Sequence, residues 1–250
     1  MNFFKKLYSA KQKCVEIFYC VFDLKKGVSA YMFHRVTDTD YPNYRNLTIS
    51  VSAFEKFIVA KKENGWYFAR LSELEDEAIY NGKTAVITFD DMYEDAFKNA
   101  VPILNKYNIP FTVFIATELV DKPEYITSLQ LQNLKENTLC TVAAHSISHK
   151  ILRCLSVNEK EKEISKEEFI DKVGFEPQYF AYPYGTYYAC DKKSQRLVCK
   201  NGYRFAFSTL NYSFNLRQMR KKPYFIPRIN INNRNYLYDG NVIKDLRRRK

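Results

Sequence analysis

Three short stretches hold residue types suited to hydrolytic chemistry. An apolar run, Ala85-Val86-Ile87-Thr88-Phe89, leads directly into Asp90-Asp91. Adjacent carboxylates repel each other, and a bound cation is the simplest way to keep both ionised. Asp also caps helix N-termini, so the pair by itself reads equally well as the start of the helical pattern that follows. A second apolar run, Leu139 to Ala144, ends in His145-Ser146-Ile147-Ser148-His149, which contains two of the three histidines in the chain. Imidazoles four residues apart can face one metal ion, although two ordinary surface histidines would give the same spacing. The helical metalloprotease motif shares that spacing but needs Glu after the first histidine. Here that residue is Ser146, which sets that reaction class aside. In the third stretch, Phe180-Ala181-Tyr182-Pro183-Tyr184-Gly185, an apolar run meets a Pro and Gly turn, and a purely structural turn explains it equally well.

These stretches need a scaffold that brings them together. Ser29 to Phe33, Trp66 to Ala69, Ala85 to Phe89, Phe111 to Ile115, Leu139 to Ala144, Tyr179 to Tyr182 and Phe205 to Thr209 read as short strands. Helical patterns lie between them at Val51 to Glu63, Leu71 to Tyr80, Tyr93 to Tyr107, Ser128 to Glu136, Val157 to Lys172 and Lys192 to Lys200. Parallel strands require such crossovers. Strand then helix, repeated about seven times, predicts an α/β chain with a barrel of parallel strands inside its helices, or else an open parallel sheet. All three stretches then fall at C-terminal strand ends, where parallel barrels place their active sites.

A length of 250 residues suits one large domain. Residues 28–240 are assigned to it, preceded by an amphipathic basic helix within 1–27 and followed by a basic tail, 241–250. The helix carries Phe3, Phe4, Leu7, Ala10, Cys14, Ile17, Phe18, Val21 and Phe22 on an apolar stripe opposed by lysines. Packing on its own domain is the commoner fate of such a helix, and peripheral contact with an anionic membrane surface is the other. The net charge of +11 favours an anionic partner, but no nucleic-acid-binding motif accompanies it, so no nucleic-acid partner is expected. Twenty Tyr and 19 Phe supply ring surface for core packing or for stacking on sugars. The six cysteines form no CxxC pair and suggest free thiols in a reducing compartment. No apolar signal core follows the N-terminus, and no run approaches the ~20 residues of a membrane span. The expected location is cytoplasmic, with membrane association left open by the N-terminal helix.

Thr88-Phe89-Asp90-Asp91, His145-Ser146-x-x-His149 and Tyr182-Pro183-Tyr184-Gly185, in this order, resemble the first three motifs of the polysaccharide deacetylase family, the NodB-homology group of carbohydrate esterase family 4. The resemblance covers roughly residues 28 to 232, because Tyr31-Met32-Phe33-His34-Arg35-Val36 is similar to the opening strand of many members. It implies a distorted, TIM-barrel-like (β/α) barrel of seven or so parallel strands. It also implies a divalent metal, usually zinc, held by Asp91, His145 and His149, with Asp90 as the general base that deprotonates the attacking water. Tyr184 would offer its backbone N–H to the tetrahedral oxyanion. The substrate implied is an N-acetylated glycan, from which an N-acetyl group is removed.

The chain departs from the family pattern in three places. Met92 stands where the first motif usually continues with Gly, which is expected to narrow the groove or change the loop. The third motif lacks the Arg that steadies the base in many members, and Arg228 is the candidate substitute. No histidine follows His149, so the acid that protonates the leaving amine must come from elsewhere, and His34 is the remaining histidine. An opening of this type resembles the branch acting on bacterial surface polysaccharides. Removal of an O-acetyl ester is the rival chemistry, and a catalytically weak sugar-binding barrel is the rival class.

Overall fold

Helices begin where a polar side chain can take the orphan N–H groups of the first turn. Ser50, Thr127, Ser156 and Asp191 each accept from the backbone N–H three residues on, and Gln130 and Glu159 reciprocate as capping boxes. The computed structural model describes residues 2–21 and 27–236, so the tail 241–250 and the end of the 28–240 domain lie outside the described residues. The first half of the chain contains α1 (Asn2–Val21), β1 (Gly27–Phe33), β2 (Arg35–Val36), β3 (Thr48–Ile49), α2 (Val51–Glu63), β4 (Tyr67–Phe68), β5 (Lys83–Asp90), α3 (Glu94–Tyr107) and β6 (Phe111–Ile115). The second contains α4 (Ser128–Glu136), β7 (Cys140–Ala144), α5 (Val157–Ile164), α6 (Lys166–Val173), β8 (Tyr179–Ala181), α7 (Lys192–Lys200), β9 (Phe205–Phe207), α8 (Leu216–Lys221) and β10 (Ile229–Asn230).

Seven strands run in the order β10-β1-β5-β6-β7-β8-β9, and every pairing is parallel. The segment after α8 brings the two ends of this sheet together. Ile226 exchanges hydrogen bonds with β9, donating to the Ala206 carbonyl at 2.9 Å and accepting from Ser208 N at 2.7 Å. Three residues later Ile229 pairs with Tyr31 of β1. The expected distorted (β/α) barrel of about seven parallel strands is the observed architecture.

The sheet separates two apolar layers. Tyr31, Phe33, Ile87, Phe89, Val113 and Phe180 belong to the layer shared with the outer helices. Ala30, Val86, Phe114, Ala143, Ala181 and Phe207 fill the concave side. Because side chains alternate along a strand, the row that runs through Val86 and Thr88 ends with Asp90 on the concave side.

Several elements differ from expectation. The stretch expected to be helical from Leu71 to Tyr80 forms two separate 3₁₀ turns, Leu71–Glu73 and Glu77–Tyr80. Val157 to Lys172 is two helices, because Ser165 ends α5 and caps α6 with its own hydroxyl. β4 lies off the seven-strand path and covers the early part of the β5 edge that β6 takes over from Ile87 onward. α8 and β10 were not anticipated; they are six and two residues long, too short for a periodic signal.

Phe54 of α2 is fully buried, with its ring 5.0 Å from Phe33 and 5.9 Å from Phe89. Phe54→Ala is expected to destabilise the protein by about 3–5 kcal/mol in denaturant unfolding, the usual cost of deleting a core aromatic. A loss under about 1 kcal/mol would show that this ring does not hold α2 to the sheet.

Candidate functional site

The ends of β1, β5, β7 and β8 converge at one mouth. The β1–β5 register pairs Phe33 with Phe89, which sets His34 alongside Asp90. Beyond β5 the backbone turns sharply, with φ of +63° at Asp91 and +48° at Met92. Ser146 (+68°), His149 (+56°) and Tyr184 (+61°) also have positive φ. Among the described residues, four of the eight such non-glycine positions lie in these three motifs, and Met92 directly follows the first. Left-handed backbone with a Cβ costs of order 1–3 kcal/mol per residue and persists only where the surroundings enforce it. Met92 shows how this is done here. Its N–H donates to the Asp90 carbonyl at 2.7 Å, its carbonyl accepts from Ile126, and its side chain is buried in the layer between sheet and helices. The Met92 side chain is buried in the core and does not narrow the groove.

Asp90 is 2% exposed and receives both arms of the Arg228 guanidinium, at 2.5 and 2.6 Å. Arg228 is itself wholly buried, donates to the Ser208 carbonyl at 3.1 Å, and lies 5.1 Å from the Phe114 ring centre. Burial pushes the Asp90 carboxyl up, yet the Arg228 charge and hydrogen bonds, with His145, outweigh it and hold the group at about 2. Asp90 is therefore ionised at any working pH.

Asp91, His145 and His149 bring one ligand atom each to within 4.8 Å of the others. The His145 Nδ1–H donates to the Ala181 carbonyl of β8 at 2.8 Å, which fixes the tautomer and leaves Nε2 free to bind a cation. That Nε2 lies 3.6 Å from Asp91 Oδ1, and His149 Nε2 lies 3.2 Å from the same oxygen. Asp91 Oδ1 is buried and accepts no hydrogen bond. An orphaned buried carboxylate oxygen facing two imidazole nitrogens fits a divalent cation, since it leaves costly unpaired polar groups without one. Burial also lowers the His145 pKa to about 4, keeping the ring in its neutral, ligating form.

Glu163 of α5 was not anticipated. Its buried carboxylate accepts the N–H groups of Ile147 at 3.1 Å and Ser148 at 2.8 Å, and also the Ser148 hydroxyl. It therefore shapes the loop between the two histidines. A Glu in a charged helical pattern reads as solvated, and only the packing of α5 against that loop distinguishes it.

His34 is buried, and its Nδ1 has no hydrogen-bond partner. Burial lowers its pKa, while the Asp90 and Asp91 charges oppose that shift. Tyr184 is exposed, with its ring centre 5.0 Å from that of His149. Gly185 next to it has a φ of +49°, and a Cβ there would meet backbone and side-chain atoms of Thr209 at 2.5–2.6 Å, so no other residue fits without moving the turn. The structure thus brings all seven residues singled out from the sequence to one strand-end mouth.

The polysaccharide deacetylase family model matches residues 78–206, which include Asp90, Asp91, His145, His149 and Tyr184. The chain belongs to the polysaccharide deacetylase family. It is 28% identical to the poly-β-1,6-N-acetyl-D-glucosamine N-deacetylase of Staphylococcus aureus (strain MSSA476) over 236 residues, covering 80% of this chain and 77% of that protein. It is 23% identical to the YxkH protein of Bacillus subtilis (strain 168) over 71% of this chain, and spans 63% of that relative's length. Among solved structures, the Streptococcus pyogenes deacetylase PplD superposes with a TM-score of 0.74 at 20% identity, covering 86% of this chain and 97% of that one. IcaB from Ammonifex degensii superposes with a TM-score of 0.70 at 20% identity, covering 85% and 94%.

The Asp90 pKa in the folded state lies below its ordinary value of 3.8. Its charge therefore contributes stability, on the order of 2 kcal/mol, that is complete above pH 4 and is lost as the pH falls toward 2. Arg228→Met should cost about 3–5 kcal/mol at pH 7, because it strands a buried charge. The carboxyl of that variant titrates upward, so the deficit should shrink as the pH is lowered from 7 toward 4. Chemical denaturation across that range, with chelator present, measures it; a deficit independent of pH would mean that Arg228 acts only through packing.

Proposed function

We propose that this protein is a metal-dependent N-deacetylase acting on N-acetylhexosamine units of a bacterial surface polysaccharide or glycan intermediate. The observation that carries the proposal is the Asp91, His145 and His149 ligand set, with its orphaned carboxylate oxygen, directly beside an Asp90 clamped by Arg228. The named activity of the Staphylococcus aureus relative makes β-1,6-linked poly-N-acetylglucosamine the first substrate to test. A divalent cation held by the three ligands, zinc being the first choice for two imidazoles and a carboxylate, would acidify a water molecule and polarise the acetyl carbonyl.

The chain's own groups would do the rest. Asp90, ionised and held in a fixed orientation, removes the proton from the attacking water. Arg228 fixes the orientation of that carboxylate through two hydrogen bonds. The Tyr184 N–H, held in a left-handed turn beside His149, donates to the oxygen that gains charge as the carbonyl becomes tetrahedral. His34, beside Asp90, gains proton affinity as negative charge develops near it; it takes up the proton that Asp90 removed from the water and passes it to the departing amine nitrogen as the C–N bond breaks.

Acetate release from poly-β-1,6-N-acetylglucosamine oligomers should require added zinc, stop with a chelator, and fall by at least about a hundredfold in Asp90→Asn, within the usual range for loss of a general base. A protein that binds the metal and the oligomers but releases no acetate would be a sugar-binding barrel instead.

An amine leaves only when protonated, whereas an activated ester does not need that help. His34→Gln should therefore slow amide cleavage by about a hundredfold or more while leaving hydrolysis of an aryl acetate within about tenfold of wild type. Equal losses on both substrates would remove His34 from the acid role.

A further inference from the structure

The N-terminal helix plays no part in this chemistry, and its described side chains lie on the barrel the opposite way round from an ordinary amphipathic helix. α1 meets the domain through Tyr8, Gln12, Val15 and Glu16, each of which is partly buried. The Tyr8 ring lies 6.4 Å from Tyr188 and 4.6 Å from the Arg153 guanidinium. The Glu16 carboxylate accepts the Asn211 N–H at 3.2 Å, and Val15 packs on the core. With roughly 100° between successive residues, Leu7, Ala10 and Cys14 fall on the far side of the helix. All three are exposed, Leu7 at 56%. Among the described side chains, the apolar stripe faces away from the domain.

Exposed lysines border that stripe, with Lys6 and Lys13 along one edge and Lys11 along the other. Lys11 reaches over the Tyr187 ring at 5.1 Å, beside Lys192, Lys221 and Lys222. These charges crowd enough that, after burial, their mutual repulsion lowers the Lys222 pKa. The one acidic residue of α1 is Glu16, which is turned toward the barrel. No helix among the described residues is long and apolar enough to cross a membrane.

We propose that α1 is a surface anchor that lays Leu7, Ala10 and Cys14 into the headgroup region of an anionic phospholipid leaflet, with Lys6, Lys11 and Lys13 against lipid phosphates. An outward apolar stripe edged by lysines suits that surface, because insertion and charge attraction then act together. The helix rests on residues 186–188, just past the Tyr184 turn, and on Asn211 beyond β9. Docking therefore leaves the helix between the lipid and the side of the barrel that carries Tyr187 and Tyr188. The anchor does not depend on the reaction proposed above.

The test is flotation of the full chain with phosphatidylcholine vesicles, with and without phosphatidylglycerol. The protein should float only with the anionic vesicles, and less as salt is raised. Leu7→Glu combined with Cys14→Glu should abolish flotation without moving the thermal unfolding transition. Lys6→Ala combined with Lys13→Ala should weaken it about fivefold per lysine. A Leu7→Trp variant should show a blue shift in emission on the same vesicles. The proposal is overturned if wild type stays in the buffer with both vesicle types, or if the Glu variant floats like wild type. It is equally overturned if the stripe proves to bury itself in a second copy, seen as a dimer that the Glu variant converts to monomer.

Discussion

A barrel interior filled with Ala, Val and Phe side chains admits a charge only with its counter-charge, and the Asp90–Arg228 pair is where this molecule meets that condition. Either ion alone would cost several kcal/mol to bury. Together they satisfy each other at two points, and Ser208, Thr88 and the Phe114 ring occupy the remaining faces of the guanidinium. The pair also joins the first strands of the barrel to the last. Asp90 ends β5, and Arg228 sits in the segment that bridges β9 and β1. The closure of the barrel and the orientation of the carboxylate are therefore one structural event, and a residue 138 positions away holds the acid in place.

Around this pair the mouth is built from strained backbone that neighbouring packing enforces. Asp91 and Met92 adopt left-handed conformations because the Met92 side chain is drawn into the core, which turns Asp91 toward the histidines. The His145–His149 loop keeps its shape because Glu163 takes up its amides, and the Tyr184 turn keeps its shape because Gly185 fits closely against Thr209. Each device is local, but each relies on a partner from a different element. That is how a mouth made of loops can hold ligand atoms to a tolerance that suits a metal ion.

The N-terminal helix follows a different logic. Among the described side chains, its polar and aromatic side docks on the domain while Leu7, Ala10 and Cys14 are left outside, the reverse of what core packing rewards. Periodicity shows that a helix has two faces but not which face a domain will take. Here the choice depends on Tyr8 against Arg153 and Tyr188, contacts invisible in a linear chain.

Much of this protein was legible in its sequence because the information is local. Apolar runs of strand length, helical patterns between them and chemically marked strand ends are short-range patterns, so the parallel α/β alternation and Asp90, Asp91, His145 and His149 at strand ends could be read along the chain, whereas the choice of a barrel over an open sheet and the part given to Tyr184 rest on the resemblance to a family. Arg228 could be named from the sequence as a substitute, but its bidentate grip on Asp90 depends on barrel closure. Glu163 carried no signal, because a carboxylate in a charged helix becomes special only through what packs beside it. The two-residue β10, placed just after Pro227, is a strand only because β1 is there to pair with it. Sequence determines which groups lie at the ends of which elements, since backbone periodicity acts over a few residues. Tertiary structure alone decides which buried charges meet, because pairing distant groups out of water is a property of the closed barrel and not of any segment of it.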